Sequence, residues 1–295
     1  MTELQKVDLR FIFITACIEE DFFKPVWKGM EDAARALGVK TDVAGVRDVD
    51  NNAQIQLLRD AIKQGYDGIA INIIHPTAFN EVISEALVCG IPVVGFNVDS
   101  RDAGNKRLSC VCQNFFEAGK SLAKEIYPVI KHGATVLVTL HSVGISALEE
   151  RLAGIKDGLD RLNLEWVITV TGTDPEKAAC IITDSLKQNA RISIVIGTGQ
   201  ADTEGAATAV SQYFKNRNLV LAGFDVSSNI IRFIDEGIIT ATMDQQPYVQ
   251  GFYPVVQLVH YCRYGIRPSN IDSGAAVINK NNINFIIKAQ KNGFV

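Results

Sequence analysis

Asp67–Asn97 reads DGIAINIIHPTAFNEVISEALVCGIPVVGFN, and this stretch decides the fold. Gly68–Asn72 is a short apolar, β-rich run, and residues 92–97 are another. Between them, Thr77–Val88 carries apolar residues at helical spacing. Gly90 follows that helix at the position that tolerates a left-handed residue. Pro92 opens the second strand, where a missing amide is tolerated. A strand, a helix and a strand in roughly thirty residues make a βαβ unit, the element from which parallel sheets are built.

The same alternation runs outward in both directions. Further strands are expected at 9–15, 40–45, 108–112, 134–140, 165–171, 192–196, 219–224 and 239–243. Helices are expected at Val26–Leu37, Ala53–Gln64 and Phe116–Ile130. Gly38 is a helix stop, and Asp174 followed by Pro175 is a helix start with a side-chain cap. So many strands exceed one comfortable doubly wound sheet, and both halves read β-α-β-α. The expectation is an α/β protein with two similar doubly wound parallel-sheet lobes. No Pro-, Gly- or Ser-rich linker divides them, so a hinge of three short crossings is expected near 113–115, 243–246 and 272–275. The first lobe then takes 1–113 plus 246–272. The second takes 115–244 plus 275–295, with Asn281–Lys291 as a docked terminal helix.

Bulk properties narrow the function. The chain has 295 residues and a net charge of −4, with no basic block, which argues against an extended nucleic-acid or anionic-membrane surface. No run of apolar residues is long enough to span a bilayer. The opening Met1-Thr-Glu-Leu-Gln-Lys-Val7 is too polar for a secretory leader, so the chain is either cytosolic or has lost a leader. Cysteines stand at 17, 89, 110, 112, 180 and 262, with no Cys-x-x-Cys. Cys110 and Cys112 point to one face of a strand. With no histidine or third cysteine near them in sequence, they read as apolar filling, and no metal is expected.

Motifs that suggest catalysis or cofactors are incomplete. Gly197-Thr-Gly199 follows a strand, but Asp202 stands where a dinucleotide fingerprint needs its third glycine. Asp48-Val-Asp50-Asn-Asn52 opens like a calcium loop, yet Ala53 and Arg59 occupy the glycine and glutamate positions. It reads instead as a polar turn capping the helix near Ala53. Gly144-Ile-Ser146 has Leu148 where a nucleophile elbow needs glycine. Ser146 is expected to cap a helix, with Glu149 completing a capping box. His75 and His141 both follow strands, without a nucleophile or acid partner evident in sequence. No cofactor is expected.

What recurs is planar polar side chains at the carboxyl ends of strands: Asn72, Asn97, Asp99, Asp225 and Gln245. Ligands of open α/β sheets bind outside those ends. The aromatic pair Phe22-Phe23 follows the first strand. Side chains with two hydrogen-bonding atoms match adjacent hydroxyls, and aromatic rings cover C–H faces, which is what a sugar requires.

Six segments together resemble the type I periplasmic sugar-binding proteins, close to the ribose-binding group of ABC-transporter receptors. They are Asp21-Phe-Phe23, Asp67–Asn72, Gly90–Asn97, Glu150-Arg151-Leu-Ala-Gly154, Gly223-Phe-Asp225 and Asp244-Gln245. The likeness covers about Leu9 to Val277. It implies that Phe22 and Phe23, in the segment opened by Asp21, sandwich a sugar ring. It implies hydrogen-bonding roles for Asn72, Asn97 and, in an Asn-x-Asp variant, Asp99. Arg151 matches a guanidinium that forks onto hydroxyls, Asp225 an acceptor near the hinge, and Gln245 a hinge residue that touches ligand. Gln200 stands in Thr198-Gly199-Gln200, where the ribose type has Asn-Asp. Val98 replaces its arginine, and Thr173 falls where a stacking phenylalanine is common. Ribose itself is therefore not the expected ligand; a hexose, a deoxy sugar or an acyclic polyol is.

The resemblance implies a non-enzymatic, monomeric solute-binding protein that closes on a monosaccharide or polyol between its lobes and delivers it to an ABC permease. It would be periplasmic or lipid-anchored at the extracellular membrane face, its leader removed, with no nucleic-acid partner. The alternatives are the ligand-sensing domain of a LacI-type regulator, a chemoreceptor or histidine-kinase input domain, and a hydrolase using His75 or His141.

Overall fold

The computed structural model describes residues 8–100, 104–274 and 276–295. The opening segment on which the leader reading rests lies outside the described residues. Along the chain come β1 (Arg10–Thr15), α1 (Phe23–Leu37), β2 (Lys40–Gly45), α2 (Asn51–Lys63), β3 (Gly68–Ile71), α3 (Asn80–Val88), β4 (Val93–Asn97) and β5 (Ser109–Cys112). Then follow α4 (Phe115–Ile126), β6 (Thr135–Leu140), α5 (Ser146–Gly158), β7 (Glu165–Val170), α6 (Pro175–Gln188), β8 (Ile192–Gly197), α7 (Gln200–Tyr213), β9 (Val220–Phe224), α8 (Ser228–Asp235) and β10 (Ala241–Asp244). The last elements are α9 (Pro247–Tyr264), β11 (Ile271–Asp272), β12 (Ala276–Ile278) and α10 (Ile283–Lys291).

These elements divide into two units. One holds Met1–Gln113, Gln246–Ser273 and Phe294; the other holds Asn114–Gln245, Gly274–Gly293 and Val295. The first sheet has the order β11-β5-β4-β3-β1-β2, and the second β12-β10-β9-β8-β6-β7. The orders correspond strand for strand, with β1 in the place of β6, β3 of β8 and β4 of β9. Both are parallel sheets, except that β12 runs antiparallel to β10. Each sheet therefore reverses its winding at one place, between β1 and β3 and between β6 and β8, which is where open α/β sheets leave a crevice.

Local chemistry explains most boundaries. The Asp50 carboxylate accepts from the Ala53 amide at 2.9 Å and starts α2 two residues before the expected position. Asp174 accepts from Glu176 and Lys177 and starts α6 with Pro175 in its first turn. Gly38 ends α1 at φ 63°, a left-handed conformation that glycine adopts without strain. Helix α3 begins at Asn80 rather than Thr77, because His75 Nδ1 accepts the amides of Thr77 and Ala78 and holds a turn there. Helix α4 stops at Ile126 and tightens into a 3₁₀ turn at Tyr127–Val129, since Pro128 has no amide to continue it. The capping box expected at Ser146 does not form. Ile145 takes the extended capping position, Ser146 is the first helical residue, and its hydroxyl is buried away from the amides it was expected to cap. Strands β11 and β12, of two and three residues, are too short to carry an alternating pattern and were not anticipated.

Both units contain flush helix pairs. A Cβ on Gly29 of α1 would sit 2.1 Å from the Tyr248 carbonyl oxygen, and one on Gly251 of α9 would sit 1.8 Å from that of Val26. In the other unit, a Cβ on Gly119 of α4 would lie 2.3 Å from the Arg151 oxygen, and one on Gly154 of α5 would lie 2.0 Å from that of Phe116. The α4–α5 contact fixes the height of Arg151 over its sheet. Among the described residues, no helix is long and apolar enough to cross a membrane.

Candidate functional site

At the carboxyl ends of the first sheet, polar side chains form a directed relay. Asn72, just past β3 and buried, donates from Nδ2 to Asn97 Oδ1 at 2.7 Å. Asn97 donates from Nδ2 to Gln250 Oε1 at 3.1 Å, and Gln250 donates to Ser273 Oγ at 3.0 Å. Each amide thus has its orientation set by the next. The Asn72 carbonyl accepts from Gln54 Nε2 at 2.7 Å. The outermost acceptor, Asn72 Oδ1, is buried with no protein donor. A buried acceptor left unmatched costs about 1–3 kcal/mol, so it calls for a ligand or water donor.

The aromatic residues of this unit sit beside that relay's strands. Phe22 and Phe23 meet edge to face at 5.2 Å, and both are buried. Phe23 stacks on the half-buried Trp27 at 5.4 Å, and Trp27 in turn rests against Phe13 of β1 and Phe96 of β4. Asp21 is not part of this set; it is exposed and paired with Lys24 at 2.7 Å. Asp99 is buried, and both its oxygens accept from the guanidinium of Arg107.

The second sheet carries a charged counterpart. Arg151 on α5 is buried, donates to the Thr198 carbonyl at 2.8 Å, and lies over the rings of Phe224 at 4.4 Å and Phe115 at 5.1 Å. Asp225, immediately after β9, accepts from Gln245 Nε2 and from the Gln200 backbone amide. Burial raises the Asp225 carboxyl above its ordinary range, and Arg151 is the largest influence opposing that rise. Burial also lowers the Arg151 pKa, against the pull of Asp225 and Asp202. Asp202, likewise pushed up to about 7 by burial, accepts from the amides of Thr198 and Gly199 and from the Thr139 hydroxyl. The amides that would cradle a phosphate at Gly197-Thr-Gly199 are therefore already occupied by this carboxylate.

Asn97 and Asp225 end the corresponding strands β4 and β9, and both are left-handed non-glycine residues, at φ 61° and 71°. Such backbone costs about 1–3 kcal/mol and concentrates at binding sites.

Of the residues singled out by sequence, the structure links Asn72 with Asn97, and Asp225 with Gln245 and Gln200, with Arg151 close enough to act on Asp225 electrostatically. Phe22 and Phe23 form one aromatic cluster. Asp99 is turned to Arg107, and Asp21 to solvent. Sequence reasoning missed Gln250, Trp27 and Arg107. Trp27 is four residues along the helix from Phe23, a spacing that would have found it.

The two histidines have other roles. His75 uses Nδ1 as a turn acceptor. His141 shares a hydrogen bond of 3.1 Å with Ser142 Oγ, but burial and the nearby Arg151 charge push its pKa down to about 4. A base that weak abstracts a serine proton poorly at neutral pH.

Comparison with known proteins places this architecture. The family model described as a periplasmic binding protein domain matches residues 11–265. The xylose/arabinose-binding protein XylF of Sulfolobus acidocaldarius is 25% identical over 290 residues, covering 93% of this chain and 72% of its own length. A solved carbohydrate transporter protein from Acidothermus cellulolyticus, in complex with myo-inositol, is 26% identical with a TM-score of 0.87, covering 98% of this chain and 100% of that one. A solute-binding protein from Burkholderia graminis in complex with D-arabinose is 25% identical with a TM-score of 0.87, covering 94% and 98%.

Proposed function

Because the chain belongs to the periplasmic binding protein domain family, we propose that it captures a neutral monosaccharide or cyclic polyol at the carboxyl ends of its strands. The family is one of transport receptors, so the chain is a binding protein and not an enzyme. It works outside the cytoplasmic membrane, with an ABC-type permease as its partner.

The buried acceptor Asn72 Oδ1, oriented by the relay through Asn97 and Gln250, carries this reading. A sugar hydroxyl is a donor that fits it, and a ligand lacking that hydroxyl leaves it unmatched. In the other unit, Arg151, Asp225 and Gln245 offer a fork donor, an acceptor and an adaptable amide to neighbouring hydroxyls. Phe22, Phe23 and Trp27 supply the apolar surface for a ring's C–H face.

The ligand class follows from charge. Two buried acids, Asp225 and Asp202, act on Arg151, which argues against a sugar acid or sugar phosphate as the ligand. The named ligands of the relatives, xylose, arabinose and myo-inositol, are neutral polyhydroxylated molecules of this class.

A thermal-shift screen tests the proposal. Pentoses, hexoses and inositols are compared with their uronic acids and phosphates. A ligand at 100 times its dissociation constant adds about 2.7 kcal/mol of stability. At least one neutral member should raise the melting temperature, and the charged analogues should not. If only charged sugars act, the ligand class is wrong; if nothing polyhydroxylated acts, the function is wrong.

A further inference from the structure

Three metal-ligating side chains converge on the first sheet beside the loop between β4 and β5. Cys110 and Cys112 alternate along β5 and share a face, close enough for a thiol hydrogen bond between them. The left-handed turn at Asn97 sends the chain back over β4, and Asp99 comes to rest above Gly95. A Cβ at Gly95 would lie 3.2 Å from Cys110 Cβ and 3.4 Å from both Asp99 Oδ1 and Arg107 Cδ, so the bare glycine lets these three side chains pack over β4. One ligand atom from each of Asp99, Cys110 and Cys112 lies within 4.8 Å of the other two.

We propose that Asp99, Cys110 and Cys112 form a site for a thiophilic divalent cation, with zinc as the best match. Zinc–thiolate bonds of about 2.3 Å place tetrahedral sulfurs roughly 3.8 Å apart, so closure needs shifts of about an ångström or less. Two sulfurs and one carboxylate suit zinc, cadmium or cobalt and exclude calcium and magnesium, which take oxygen. The fourth position is left for water.

Charge makes the exchange feasible in a buried place. With both thiols protonated, the Asp99 carboxylate and the Arg107 guanidinium cancel. Binding converts two thiols to two thiolates, releases two protons, and adds one divalent cation, so the cluster stays neutral. Arg107, beside the cluster, donates to both Asp99 oxygens, as partners of ligating carboxylates do. Asp99 and Cys110 are buried while Cys112 is partly exposed, giving the ion a route in.

The test uses the reduced full-length chain titrated with Co²⁺ and Zn²⁺. One equivalent of Co²⁺ should produce sulfur-to-metal charge-transfer absorption with tetrahedral visible bands, displaced by Zn²⁺. Binding should release protons, so apparent affinity should rise with pH. Cys110→Ser and Cys112→Ser should each remove the charge-transfer bands and weaken zinc by more than about 100-fold, beyond what outer partners contribute. Asp99→Asn should keep the bands at reduced affinity. The double variant Cys89→Ser/Cys180→Ser, which removes two exposed thiols, should bind as before. Circular dichroism checks that each variant is folded. Absence of thiolate bands in the wild-type chain overturns the site. So does their survival in folded Cys110→Ser, or their loss in the Cys89/Cys180 variant.

Discussion

Replacing Arg151 by methionine should destabilise the protein by an amount that depends on pH. The guanidinium is buried, donates to the Thr198 carbonyl at 2.8 Å and covers two phenylalanine rings. The hydrogen bond from a charged donor is worth about 1.5–3 kcal/mol, and the desolvated ring contacts add about 2 kcal/mol. The methionine stem restores part of the packing, and the cost of burying a cation disappears. Against that relief stands Asp225, a buried carboxyl left without its cationic neighbour. The lost hydrogen bond and ring contacts, less the packing that methionine restores, put the loss expected at neutral pH at about 3 kcal/mol.

The pH window follows from Asp225. Its folded pKa already lies above its unfolded value, and losing Arg151 raises it further. A raised carboxyl pKa means that the folded state holds the proton more tightly, so stability is lost as pH climbs from the unfolded value to the folded one. The loss in Arg151→Met should therefore be smallest near the ordinary carboxyl value, at about pH 4, and should grow as pH rises to the alkaline side. Urea unfolding followed by circular dichroism at both ends measures it. An equal loss at both ends, or a larger one in acid, would refute the coupling between Arg151 and Asp225.

Other perturbations read single features. Asn72→Leu removes the amide that donates to the buried Asn97 Oδ1, so it should cost about 1–3 kcal/mol in urea unfolding and erase any sugar-induced thermal shift. Gly251→Ala forces a methyl to within 1.8 Å of the Val26 oxygen, so α1 and α9 must separate at a cost of at least about 1–3 kcal/mol. A midpoint that falls less than this would show that the pair is not flush. His141 has its pKa pushed down to about 4 from 6.5, so the unfolded chain binds the extra proton and stability falls as pH drops between those values. His141→Gln should remove up to about 3 kcal/mol of that acid loss relative to wild type. An unchanged difference between pH 6.5 and pH 4 would place the ring in water.

The alternation of strand and helix was legible because it is local: each βα turn carries its own Gly, Pro or Asp signal within a few residues. The polar strand ends could be located for the same reason, since Asn72, Asn97 and Asp225 each close an apolar run. What they bond to was not legible. Gln250 reaches Asn97 from 153 positions away, on a helix whose face only tertiary packing selects. Asp99 looked like another strand-end ligand, but the left-handed turn at Asn97 redirects it to Arg107 and the two cysteines. Ser146 carried a correct capping pattern, one residue out of register with the actual helix start. Two- and three-residue strands such as β11 and β12 hold too few side chains to show a period.

The central claim is that the buried polar residues at the strand ends bind a neutral sugar. Isothermal calorimetry with the ligand identified by thermal shift tests it most directly, using wild type, Asn72→Leu from one unit and Arg151→Met from the other. The account predicts binding by the wild-type chain and weakened binding in each variant while circular dichroism stays native. No binding by the wild-type chain, or unaltered affinity in folded Asn72→Leu, would contradict it.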